Sequence, residues 1–147
     1  MVQTIPPRTS LSDPSTGLIA PGTATGGPVR VSILTGDRLV ESEGLDSVPP
    51  MPLPTGTVAW IDVTDPSANQ IAKITGLLGL HELIAEDILE GNQRAKIEVT
   101  ADRIHIVMFA LVYGDPIVPS EIDIVLGDGF LLTAHAALWD PRMTHHL

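Results

Sequence analysis

The sequence predicts an α/β domain built on a mixed, partly antiparallel sheet packed with helices. Three observations predict it. Short runs of β character, each closed by a Gly, Asp or Pro turn signal, lie on both sides of the chain's middle. Between them sit two consecutive segments whose apolar residues recur with the period of a helix. Finally, 44% of the 147 residues are apolar but only 3% are aromatic, so one domain's core must be built from Ile, Leu, Val and Ala.

Residues 1–28 are rich in Pro, Gly, Ser and Thr, with no hydrophobic period. They read as a disordered lead-in, and 29–147 as the folded domain. Val29 to Leu34 alternates apolar and polar residues as a strand does. Thr35-Gly36-Asp37 turns it, and Arg38 to Glu41 returns as a hairpin partner. Val48 to Pro54 carries four prolines in seven residues, which precludes a helix or an interior strand. Thr57 to Val63 is a strand centred on Trp60 and Ile61. Asp65 is placed to cap a helix that has Pro66 at its first position, Ile71, Ile74 and Leu78 on its buried face, and Gly79 at its end. A second helix follows and stops at Gly91-Asn92. Lys96 to Thr100 and Ile104 to Tyr113 read as strands around a tight turn at Ala101-Asp102. The latter is nearly all apolar and is expected to be buried on both faces. Glu121 to Leu126 is a strand with Ile122, Ile124 and Leu126 inward. Asp128-Gly129 turns it into Phe130 to His135. Asp140-Pro141 would start a helix that the sequence does not finish, as a truncated domain would. The order is ββ–β–αα–ββ–ββ.

The second helix holds the unusual chemistry. Leu80, Leu83, Ile84 and Ile88 make one apolar stripe, and Glu82, Glu86 and Glu90 an acidic stripe away from it. Asp87 breaks the pattern. At about 100° per residue it falls at the edge of the apolar face, where a carboxylate is costly unless paired, capped or metal-bound. Glu86, Asp87 and Glu90 also crowd the helix C-terminus, where the macrodipole disfavours negative charge. Arg94, Lys96 or a bound cation would relieve them. A salt-bridged, solvated surface satisfies the same pattern, and spacing alone does not separate the two.

Several classes are excluded. The net charge of −10 argues against nucleic acid and anionic membrane surfaces. No Cys is present, so thiolate catalysis and thiolate metal sites are absent. No apolar run reaches the roughly 20 residues of a membrane helix, no secretory leader is present, and the chain reads as soluble with no membrane contact of its own. No nucleophile elbow occurs. His81-Glu82 begins like a zinc-protease helix, but Ala85 stands where the second His is needed. His105 and His135 read as hydrogen-bonded strand histidines. The chain is not expected to be an enzyme. An oxygen-rich cluster without Cys suits a hard cation such as Mg2+.

Trp60-Ile61-Asp62-Val63, then Gly79-Leu80-His81, Glu86-Asp87-Ile88-Leu89 and Gln93-Arg94-x-Lys96-Ile97-Glu98, together with Leu126-Gly127-Asp128-Gly129-Phe130-Leu131-Leu132-Thr133, resemble the N-terminal cytoplasmic domain of the CorA/ZntB family of divalent-cation transporters. The likeness covers about residues 29 to 138. It departs at Ala95 and Glu82, where the family usually has Pro. The resemblance implies a homopentamer whose soluble domain leads into a stalk helix and two membrane helices with a Gly-Met-Asn signature, none of which this sequence carries. It implies regulatory Mg2+ at subunit interfaces, with Asp87 as the interface acid and Glu86 as a secondary participant. Co2+ or Zn2+ are alternative ions, and binding by this chain alone is expected to be weak. The implied function is that of a regulatory domain on the cytoplasmic side of the membrane, gating a pore. The competing reading is a stand-alone acidic module that binds a basic protein partner.

Overall fold

The protein is described here by a computed structural model covering residues 25–142. Most of the expected lead-in over 1–28, and the terminal His145-His146, lie outside the described residues. The last positions of the lead-in are bonded to the domain: Gly27 donates to the Asp65 carbonyl at 3.0 Å, and the Pro28 carbonyl accepts from Thr64 at 3.0 Å.

Strands β1 (Val29–Thr35), β2 (Arg38–Glu43), β3 (Thr57–Thr64), β4 (Lys96–Val99), β5 (Ile104–Val112), β6 (Val118–Gly127) and β7 (Phe130–His135) form one sheet in the order β2-β1-β3-β7-β6-β5-β4. Every neighbouring pair is antiparallel except β3 and β7 at the centre, which run parallel with Asp62 opposite Thr133. The mixed, partly antiparallel sheet packed with helices is therefore present as predicted. Helices α1 (Ala68–Leu78) and α2 (Glu82–Glu90) lie between β3 and β4 in the chain and pack on one face of the sheet.

The core is aliphatic. Ile71, Ile74 and Leu78 of α1 and Ile88 of α2 meet Val31, Ala59, Ile61, Val63, Val125, Leu132 and Ala134 of the sheet, with Phe130 as its one buried aromatic ring among the described residues. Each fully buried Ile or Leu contributes roughly 1.5–3 kcal/mol relative to exposure.

The start of α1 differs from expectation. Ser67, not Asp65, is the N-cap. Its hydroxyl accepts from the Gln70 N–H, and the Gln70 side chain accepts in return from the Ser67 N–H. Asp65 is taken up elsewhere: at φ 45° it turns the chain out of β3, donates to the His135 carbonyl at 2.8 Å and accepts from the Ala137 N–H at 3.1 Å. Gly79 and Gly91 end α1 and α2 in the left-handed conformation, as their positions predict.

Three burial expectations are corrected. Leu83 is 59% exposed, so α2 packs through Ile84, Ala85 and Ile88 instead, with Leu80 just before it. Strand β5 is not buried on both faces. β4 pairs only Ile104 to Val107, and beyond it Met108, Phe109 and Leu111 are exposed. In β6 it is Val125, not Leu126, that faces the helices. The far face accounts for Met108 and Leu126, whereas Phe109 and Leu111 lie on the helix-facing side beyond the end of β4. No described helix covers the opposite sheet face, so Leu34, Leu39, Val58, Ile97, Val99, Met108 and Leu126 stand in the open there. One end of that face is closed by the chain after β7, where Asp140 reaches Arg30 and Trp139 stacks edge-on against His135.

Candidate metal centre

The C-terminal turn of α2 lies over the β4–β5–β6 end of the sheet. His81 holds the start of this helix, its Nδ1 accepting from the Leu83 N–H at 3.1 Å. Beyond Gly91, the Gln93 N–H donates to Glu121 Oε2 at 3.1 Å. Antiparallel pairing sets Glu98 opposite His105, Lys96 opposite Val107 and Val107 opposite Asp123, so these side chains share the helix-facing side.

Asp87 is brought into this group and Glu86 is not. Asp87 Oδ2 accepts from Lys96 Nζ at 2.7 Å, with both side chains about three-quarters buried. Lys96 Nζ also reaches Glu98 Oε1 at 3.3 Å. The Lys96 pKa is raised, chiefly by its hydrogen bond to Asp87, with burial opposing and Glu98 adding to the rise. Glu86 points to solvent on the exposed side of α2. Sequence reasoning placed Lys96 correctly as a counter-ion for Asp87; Arg94 is exposed.

His105 was expected to be a satisfied structural histidine, and only half of it is. Its ring is 2% exposed. Nε2 lies 2.9 Å from Asp123 Oδ1, and the hydrogen is assigned to Nε2 because a carboxylate can only accept from it. Nδ1 is buried with no hydrogen-bond partner among the described residues. It faces Glu98 Oε2 at 3.8 Å and Asp87 Oδ2 at 4.0 Å. Nearby, burial raises the Glu121 pKa, against its backbone bond from Gln93 and with Asp123 and Asp87 adding repulsion. Asp87, Glu98 and His105 offer three ligand atoms within 4.8 Å of one another. The signal was present in the sequence: a hairpin turning at Ala101-Asp102 sets Glu98 against His105.

The other strand histidine is fully satisfied. His135 Nε2 lies 3.0 Å from Asp62 Oδ1 and its Nδ1 lies 2.9 Å from the Ala136 carbonyl. Thr133 donates to Asp62 at 2.6 Å and Trp60 Nε1 to Thr133 at 2.9 Å, so the network crosses the central strand pair. Burial opposes charge on His135, but its bonds to Asp62 and Ala136 and the charges of Asp62 and Asp140 outweigh it and raise its pKa.

The α2–sheet group brings together two carboxylates and an imidazole, a set of ligand atoms able to hold a cation. Comparison with known proteins agrees with a transport role for the family. A family model described as CorA-like Mg2+ transporter protein matches residues 55–140. No curated protein sequence matches the chain. Among solved structures, the complete CorA magnesium transporter of Methanocaldococcus jannaschii is similar at TM-score 0.51 and 20% identity, over 74% of this chain and 32% of that one. The full-length CmaX protein is similar at 0.57 and 15%, over 75% of this chain and 35% of that one. The ZntB cytoplasmic domain from Vibrio parahaemolyticus RIMD 2210633 is similar at 0.53 and 7%, over 72% of this chain and 43% of that one. At these identities the likeness is one of fold, and the chain spans well under half the length of each. None of the described helices is long and apolar enough to cross a membrane. With the family model covering more than half of its residues, this chain belongs to the CorA-like Mg2+ transporter family, whose members are transporters and not enzymes.

Proposed function

We propose that this chain is the cation-responsive domain of a divalent-cation transporter, carried on the cytoplasmic side of a membrane by segments outside this sequence. Residues 29–147 form the domain and 1–28 a lead-in. The observation that supports this reading most is Asp87, a carboxylate held at the edge of the α2 apolar face with Lys96 as its counter-ion. Asp87, with Glu86 beside it on the exposed side, acts where subunits of a homo-oligomer, a pentamer in the family pattern, meet.

The mechanism is electrostatic. Each chain carries a net charge of −10, so domains brought together in a ring repel one another. Mg2+ or a related dication between them offsets that repulsion and holds the closed packing; loss of the ion loosens it. Coupling to the pore arises because the ion binds the closed arrangement more tightly than the open one. With one or two carboxylates per subunit, Mg2+ binding to an isolated domain is weak.

The test is Asp87→Ala in the complete transporter, reconstituted in vesicles with internal Mg2+ varied. Transport is expected to stay on at internal Mg2+ that shuts the parent protein. Unchanged sensitivity sinks the assignment.

A second reading, an acidic interaction module without a transport role, is favoured by the uncovered apolar sheet face, which a partner protein would bury. A chain that stays monomeric in light scattering and is indifferent to millimolar Mg2+ supports it.

A further inference from the structure

The half-satisfied histidine separates this acidic cluster from an ordinary solvated one. A buried ring nitrogen with no partner is rare, because an unpaired buried polar atom is costly. Here the nitrogen is aimed at two carboxylates that already share one ammonium group. The far side of the ring is fixed by Asp123 at 2.9 Å. Metal-binding histidines are set up in this way: the second nitrogen donates to a carboxylate, which locks the tautomer and turns the free lone pair towards the ion.

We propose that Asp87, Glu98 and His105 form a transition-metal site within a single chain, which takes Zn2+ in preference to Mg2+. Asp87 and Glu98 contribute one oxygen each and His105 contributes Nδ1, leaving a fourth position open to water. Imidazole suits Zn2+ and its neighbours, whereas Mg2+ takes oxygen ligands almost exclusively. Ligand atoms of a tetrahedral zinc site stand roughly 3.4 Å apart, given metal–ligand bonds near 2.1 Å. The 3.8 and 4.0 Å separations from Nδ1 exceed that only slightly, all three ligand atoms lie within 4.8 Å of one another, and the exposed Glu98 is free to close towards the other two.

Lys96 is the internal competitor. Its ammonium holds the Asp87 oxygen that the metal needs, so binding displaces it towards solvent. The site names an ion class for Asp87, the acid of the gating reading, but it lies in one chain and stands or falls separately from gating.

The sequence ends in His145-His146-Leu147, so the test is made in the full chain carrying His145→Ala and His146→Ala. Co2+ serves as the spectroscopic probe, and Zn2+ and Mg2+ are titrated calorimetrically. The expected result is an intense visible Co2+ band of a low-coordinate site, removed by equimolar Zn2+, with Zn2+ bound at least about 100-fold more tightly than Mg2+. Glu98→Gln, which removes a charged direct ligand, weakens Zn2+ binding by at least the roughly 10-fold that loss of an outer-shell partner costs, and Lys96→Met strengthens it. His105→Gln abolishes the band; should that buried substitution unfold the chain, Glu98→Gln and Lys96→Met decide.

The proposal is overturned if Co2+ shows only the weak spectrum of the hydrated ion. It is also overturned if Zn2+ affinity is unmoved by both Glu98→Gln and Lys96→Met, or if Mg2+ binds as tightly as Zn2+. Loss of Mg2+ sensitivity in Asp87→Ala together with any of these results would leave the gating reading standing and remove this site. The reverse pattern would keep the site and remove the gating.

Discussion

Lys96→Met tests the electrostatics of the α2–sheet junction most directly. Methionine keeps the aliphatic stem that packs beside α2 and deletes only the ammonium group. What is lost is a 2.7 Å charge-assisted bond to Asp87, with side-chain exposures of 25% and 24%. A fully exposed pair would contribute about 0.2–1 kcal/mol, and breaking a fully buried one would cost about 3–5 kcal/mol. Three-quarters burial places the expected loss at about 2 kcal/mol. Domain stabilities run to about 5–15 kcal/mol, and urea slopes to about 1–3 kcal/mol/M, so the midpoint should fall by roughly 1 M. Asp87→Asn and the double variant complete a cycle, with an expected coupling of about 1.5 kcal/mol. At 1 M salt the screening length is about 3 Å, close to the bond length, but a partly buried pair is screened much less than an exposed one, so a substantial part of the coupling should survive. Because the Lys96 pKa is raised, the contribution is complete below about pH 10 and disappears only as pH climbs through the raised value. A coupling under about 0.3 kcal/mol would show that the pair is solvated, and the account of Asp87 as a carboxylate needing compensation would fail.

Four further outcomes are expected. Leu78→Ala, at a fully buried position of α1, should cost about 2–5 kcal/mol in chemical denaturation, while Ser67→Ala, which breaks the capping box, should cost about 1 kcal/mol. The raised His135 pKa means that its pairing with Asp62 stabilises the fold fully below about pH 6.5 and is lost as pH rises through the folded value. Thermal melts across pH 6 to 9 should show that decline in the parent chain and not in His135→Gln. Glu121→Gln should stabilise the protein at neutral pH by up to about 1 kcal/mol, because burial raises the Glu121 pKa and its Oε1 has no partner among the described residues. Equal or lower stability would mean that the carboxylate is better compensated than its surroundings indicate.

The parts of the fold that depend on neighbours in sequence were legible. The turns at Gly36-Asp37 and Asp128-Gly129, the stops at Gly79 and Gly91, and the strand around Trp60 follow from local chemistry. The parts that depend on which layers exist were not. An apolar run such as Ile104 to Tyr113 reads as doubly buried, because composition does not reveal that β4 is four residues long or that one face has no described cover. The same blindness reversed the inward face of β6. At Asp65 two local signals competed, and the Ser67–Gln70 pair prevailed because it satisfies two helix N–H groups while Asp65 serves the crossing from β3 to the end of β7. Within the site, Asp87 was marked by its angular position on a helix. His105 was missed as a candidate ligand because its meaning depends on Asp123, which strand pairing alone brings beside it.

The parallel β3–β7 pair has a kinetic consequence. On one side of it β1, β2 and β3 fold back on close neighbours; on the other, β4 to β7 do the same. The two halves are joined at the centre by contacts between residues 71 positions apart, such as Thr133 and Asp62. Loop-closure entropy therefore falls mainly on this seam. The hairpins can form early and reversibly, but the sheet becomes one object only when β7 finds β3 and traps α1 against both. Substitutions at Ile61 or Leu132 should slow refolding, and so should those at the Gly36-Asp37 turn, whose hairpin forms before the seam closes.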